Sequence, residues 1–243
     1  MGGNIASVER VVALLRMHGV LMIVLALTYI AAPTIVASLS VGGSRSLAVA
    51  GSRAFTAIAY SSMLEALLYS LLPALWSLVA AVVVLRSGEA VPRGALAALV
   101  AASVLGMAMP IALYVSSTPL AMSLVNRFAS RYPVLNLSAS TTYAAVREFQ
   151  SAISAVSAYI ATPAVISAAA LIMVATLFGR LWRQSIARVR TVSGLCIALG
   201  LLLFVSVVVS LASPLYRGLF TLPALVLMFA IGVFEAWVKG SRL

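Results

Sequence analysis

Charged side chains are absent from long stretches of this chain and crowded between them. None occurs from Ser151 to Gly179, after which Arg180, Arg183, Arg188 and Arg190 follow in quick succession. A helix needs about 20 apolar residues to cross a hydrocarbon layer about 30 Å thick, so this run reads as a membrane span with a basic end. The pattern recurs and predicts six spans, at about Gly19–Ser40, Leu64–Leu85, Gly94–Val115, Ser151–Phe178, Val192–Ala212 and Gly218–Val238. The second span can begin earlier, near Ala54. Most of the connections are short, which makes consecutive spans antiparallel neighbours. The fold class predicted is an all-α polytopic membrane bundle, with residues 1–243 forming a single transmembrane domain.

Two other stretches have helical periodicity but too much polarity to span. Ile5, Val8, Val11, Val12 and Leu15 share one side of a helix, with Glu9, Arg10 and Arg16 opposite, predicting an interfacial helix before the first span. Leu120, Ala121, Leu124, Val125 and Phe128 oppose Ser123, Asn126, Arg127, Ser130 and Arg131, predicting a second interfacial helix between spans three and four. The run Gly19–Ser40 exceeds the roughly 7–15 apolar residues of a cleaved signal, so the first span is expected to be retained.

Composition supports the membrane reading. Hydrophobic residues make up 63% of the chain and charged residues 9%, against about a quarter charged in soluble domains. A net charge of +11 invites a nucleic-acid reading, but no basic stripe is interleaved with exposed aromatics, and topology accounts for the excess. With the N-terminus inside, Arg10, Arg16, Arg86, Arg93, Arg180, Arg183, Arg188, Arg190, Lys239 and Arg242 lie on the inner side. Arg45, Arg53, Arg127, Arg131, Arg147 and Arg217 lie outside. That asymmetry, together with Trp182 and Trp237 at the inner boundary, places both termini in the cytoplasm of a cell-membrane protein. Asn136-Leu137-Ser138 forms a glycosylation sequon on the outer face. The scarcity of Asn and Gln fits a thermophilic source.

The polar features within the spans are few. Three tyrosines are followed four positions later by proline, at Tyr29/Pro33, Tyr69/Pro73 and Tyr159/Pro163. Proline has no N–H for the carbonyl four residues back, so each such helix is expected to kink and leave a tyrosine carbonyl in need of a partner. Those carbonyls, with Glu65, are candidates for a polar pathway or hinge; the alternative is that neighbouring hydroxyls satisfy them and the kinks only shape the bundle. Glu65 also reads as a solvated residue at the outer boundary. Glu235 reads as an i,i+4 partner of Lys239. His18 reads as an interfacial residue, or as a proton-linked switch. Cys196 reads as a packing residue. Gly94, Ala98, Ala102 and Gly106 form a small-residue stripe suited to close helix packing. Arg180, Arg183, Arg188 and Arg190 are candidates for contact with lipid headgroups or a docked cytoplasmic protein.

Missing residues narrow the chemistry. One histidine cannot supply bis-imidazole haem ligation, and one cysteine cannot hold an iron–sulfur cluster. The chain has no aspartate and no Walker A sequence, which removes aspartyl proteolysis, aspartate-rich Mg²⁺ sites and that route to ATP hydrolysis. Neither catalysis nor a cofactor or metal is expected. Two readings remain: a transport-type, permease-like subunit working with a protein partner, and a non-catalytic scaffold or accessory subunit of a larger membrane complex. In helix count and termini the layout is similar to the permease subunits of ABC-2-type transporters. Its long outer connection, however, falls between spans three and four rather than five and six.

Overall fold

A computed structural model describes residues 2–41, 48–136, 140–182, 184, 186–213 and 218–240. Arg45, Leu137, Ser138, Arg183, Arg217 and Arg242 lie outside the described residues. The described chain folds into helices α1 (Gly2–Val41), α2 (Gly51–Arg86), α3 (Arg93–Arg131), α4 (Ser140–Ala161), α5 (Ala164–Trp182), α6 (Val189–Ala212) and α7 (Gly218–Ala236). Six of these, all but α4, are long and apolar enough to cross a membrane. The protein is an all-α, multi-pass membrane protein.

The helices form where leucine, valine and alanine dominate, running on through Pro33, Pro73, Pro110, Pro119 and Pro223, and they stop where the backbone is forced to turn. Gly88, at φ 75°, and Pro92, which caps α3, make the tight turn between α2 and α3. Strand β1 (Ala48–Ala50) pairs antiparallel with β2 (Val134–Asn136), with Val49 opposite Leu135. The turn into α2 brings Gly51 against the Tyr132 carbonyl, where any side chain would collide, and the Gly51 amide donates to the Pro133 carbonyl at 2.9 Å. A second ribbon pairs β3 (Ile186–Ala187) with β4 (Lys239–Gly240). It lies at the end of the bundle that holds both termini, where the Arg16 Nε donates to the Val238 carbonyl at 3.1 Å.

Several expected boundaries move. Residues 5–16 are helical but continuous with the first span, because nothing between Arg16 and Gly19 breaks α1. Val11, Val12 and Leu15 are buried in the main core, so their apolar face meets protein rather than headgroups. The helix expected at 120–131 is likewise the far end of α3. The helix that does stand between spans three and four is α4. The expected span Ser151–Phe178 is divided at Thr162–Pro163, and its membrane-crossing part is α5.

Two hydrophobic cores result. The main one gathers α1, α2, α5, α6 and α7 around Met22, Leu72, Trp76, Leu171, Phe178, Trp182 and Leu203. The other is built from the first turns of α2, the last turns of α3 and all of α4, around Phe55, Met63, Phe128, Phe149 and Ile153. It forms a three-helix head. Thr221, in the first turn of α7, bonds Glu65, and α2 continues from Glu65 back to Gly51, about 20 Å further at 1.5 Å per residue.

The two regions are joined where α2, α3 and α5 meet. Ser167 Oγ donates to the Ser70 carbonyl at 2.7 Å, and Ser70 Oγ donates to the Gly106 carbonyl at 3.4 Å. A Cβ on Gly106 would lie 2.9 Å from both Ala74 Cβ and Ser167 Oγ, so glycine is what lets α3 come this close. Interhelical hydrogen bonds in membranes average about 0.6 kcal/mol. Ser167→Ala is therefore expected to lower stability by about that amount, read from thermal unfolding in detergent.

Candidate functional site

Helices α1 and α7 cross with their backbones in close contact, and the crossing rests on two glycines. A Cβ on Gly19 would fall 2.5 Å from the Ala236 nitrogen and 2.6 Å from the Gly232 carbonyl oxygen. A Cβ on Gly232 would fall 2.8 Å from the Gly19 carbonyl oxygen. With backbone against backbone, the ionisable residues near these glycines are pressed together. They are His18 and Glu235.

Both side chains are fully buried, at 0% exposure. His18 Nδ1 lies 3.2 Å from Glu235 Oε1 and 3.1 Å from Oε2, and only the Oε1 contact has hydrogen-bond geometry. His18 Nε2 lies 2.9 Å from the Trp76 carbonyl oxygen. A carbonyl only accepts, so Nε2 carries a proton and donates it. The imidazole stacks on the Trp76 indole, with centroids 4.6 Å apart and planes 18° apart, and Phe178 meets it edge-on at 6.3 Å. Helices α1, α2, α5 and α7 thus each contribute to one polar point in an apolar core.

On α2, Trp76 is ten residues from Arg86 and eleven from Glu65, while on α7 Glu235 stands in the last turn and on α1 His18 follows the exposed Arg16 by two residues, so the pair is enclosed toward the terminal end of the bundle. Toward the terminal end, Leu15, Trp182, Ile186, Val189 and Val238 are buried in the same main core. A fully buried ion pair loses hydration that only good geometry repays, and ionisable groups inside a membrane bundle mark functional sites by default.

Of the residues expected to form a polar pathway, Tyr29 and Tyr69 are brought together and Tyr159 is not. Tyr29 and Tyr69 are buried with their rings 6.3 Å apart, whereas Tyr159 is 55% exposed near the end of α4. The Tyr159 carbonyl finds its partners locally, accepting from the Thr162 hydroxyl at 2.8 Å and the Thr162 amide at 3.2 Å. Pro163 sits in the break between α4 and α5, while α1 and α2 continue through Pro33 and Pro73. The Pro33 carbonyl accepts from Ser61 of α2 at 3.3 Å, and the Pro73 carbonyl from Ser77 at 2.8 Å. Glu65 is half-buried and accepts from the Thr221 hydroxyl at 3.0 Å.

Of the small-residue stripe, Gly106 is buried at a helix crossing and Ala102 is half-buried, whereas Gly94 and Ala98 are exposed. Arg180, Arg188 and Arg190 are exposed at the terminal end, and Arg188 has a left-handed backbone, φ 72°, at the start of α6. In the head, a cleft of about 490 Å³ opens between α3 and α4, lined by Arg127, Phe128, Arg131 and Glu148 among others. Arg131 and Glu148 pair there at 3.3 Å, both largely exposed. Among the described residues no three His, Cys, Asp or Glu side chains are grouped to hold a metal.

No family model, curated protein or solved structure matches the chain. Geometry is what singles out the buried pair. Read along the sequence, Glu235 goes with Lys239 and His18 stays at an interface, because the pairing of the first span with the last is invisible in a single sequence. One signal was available: both residues are close to glycines, Gly19 next to His18 and Gly232 one turn before Glu235.

Proposed function

We propose that this chain is a transport-type, permease-like membrane subunit that works with a partner protein and is not itself a catalyst. The observation that supports this reading is the His18–Glu235 pair, an ionisable couple enclosed where α1, α2, α5 and α7 meet. Replacing such a pair with packed apolar residues is often neutral or stabilising, so packing gives little reason to keep it. In this reading the chain resides in the cell membrane with both termini cytoplasmic. The exposed Arg180, Arg188 and Arg190, with Arg86 and Arg93, then face the cytoplasm, where they meet anionic headgroups and the partner.

A scaffold or accessory role is the second reading. It is favoured by the separation of Tyr159 from Tyr29 and Tyr69 and by a main core filled with large side chains such as Trp76, Phe178 and Trp182. Purification in mild detergent, with identification of the co-purifying chains, separates the two. An energising subunit such as an ATPase is expected, and recovery should fall with Arg180→Glu/Arg190→Glu. Recovery of other integral membrane subunits alone would favour the scaffold.

A further inference from the structure

The packing around His18 limits what this site can bind. One face of the ring is stacked on Trp76, the edge of Phe178 closes another approach, and both ring nitrogens are engaged. A solute needs volume that such packing does not leave, whereas a proton needs none. We infer that His18 and Glu235 form a proton-binding site, with the proton as the ion coupled to transport. Only the second clause rests on the transport reading.

The proton inventory follows from the hydrogen bonds. Nε2 keeps its proton, because the Trp76 carbonyl can only accept it. The exchangeable positions are then Nδ1 and the two carboxylate oxygens. One proton shared across the Nδ1–Oε1 contact gives either imidazolium with carboxylate or imidazole with carboxylic acid. The two forms have the same net charge of zero, and they interconvert by moving the proton along a 3.2 Å line. The open position for a second proton is Glu235 Oε2, which is buried with no hydrogen-bond partner among the described residues. Loading it leaves imidazolium beside a neutral acid.

Among the described residues, nothing packed against the pair compensates the added charge. From α6 the titratable group in the same core is the buried Cys196 thiol. From α2 and α5 the facing groups are Trp76 and Phe178, which are uncharged. On α1 the nearest charge is Arg16, whose Nε is directed to the Val238 carbonyl, and no other ionisable residue occurs within α7. A second proton therefore removes the attraction between α1 and α7 at their glycine crossing and leaves a buried cation. Loading the site is coupled to separating those helices.

His18 is the only histidine, so histidine-selective ¹⁵N labelling of the full chain in lipid nanodiscs yields one pair of ring signals. Across a titration from acid to mildly alkaline pH, Nε2 is expected to remain protonated while the Nδ1 shift moves in one step. Glu235→Asp should keep that step at a displaced pH, and Glu235→Gln should remove it or move it further. An unprotonated Nε2 beside a protonated Nδ1, or Nδ1 and Nε2 shifts that stay constant in the unmodified chain, would overturn the proposal. The unmodified chain alone decides the point if the variants do not fold. A site that titrates in a protein without proton flux would instead refute the coupling of the proton to transport and leave the site standing.

Discussion

Glu235→Leu is expected to destabilise the folded bundle by about 3–5 kcal/mol, and adding His18→Leu should recover most of that loss. The single change leaves the Nδ1 side of a buried imidazole without a partner among apolar side chains, and the penalty for breaking a buried pair on one side is of that size. The double change removes both polar groups and leaves only a difference in packing, which replacements of this kind often tolerate with no loss. Unfolding in detergent, monitored for the parent, the two single variants and the double variant, gives the coupling directly. Strictly additive effects would mean that the two side chains do not act as a unit.

The next largest effect belongs to the glycines. Gly232→Leu places a Cβ 2.7 Å from Ile23 Cγ1 and 2.8 Å from the Gly19 carbonyl oxygen, and a carbonyl in the middle of α1 cannot move aside as a side chain tip can. Overpacking alone costs about 1–3 kcal/mol. Here α1 and α7 must also separate, which adds the loss of the His18–Glu235 contact. Gly94→Ala is the matched control, since nothing lies within 4 Å of a Cβ there. It should be neutral or stabilising by up to about 1 kcal/mol, because alanine is the better helix former. Equal melting of Gly232→Leu and Gly94→Ala would refute the close crossing.

The importance of these residues shows only indirectly in the sequence. Six spans were legible because the need to bury backbone and exclude charge from hydrocarbon acts along the chain, within one helix at a time. The far-end head was not. Phe55, Phe128 and Phe149 are 73 and 21 positions apart, and their convergence depends on how α2, α3 and α4 pack. An amphipathic face such as that of Leu124, Val125 and Phe128 does not reveal whether it will meet headgroups or another helix. The Tyr–Pro spacing illustrates the opposite difficulty. The Tyr159 carbonyl is satisfied within its own turn by Thr162, and Tyr159 lies apart from Tyr29 and Tyr69, which meet each other. The pair itself needed the one fact that a lone sequence withholds, that the first span touches the last.

Proton movement tests the role of the pair most directly. The assembly purified in mild detergent can be reconstituted into vesicles containing a pH-sensitive dye, and an inward membrane potential imposed. Uptake is expected to exceed that of protein-free vesicles and to fall to their level with Glu235→Gln, at equal protein content and with a retained melting transition. Uptake that Glu235→Gln leaves unchanged, or that is no greater than in protein-free vesicles, would contradict a proton-coupled role for the pair.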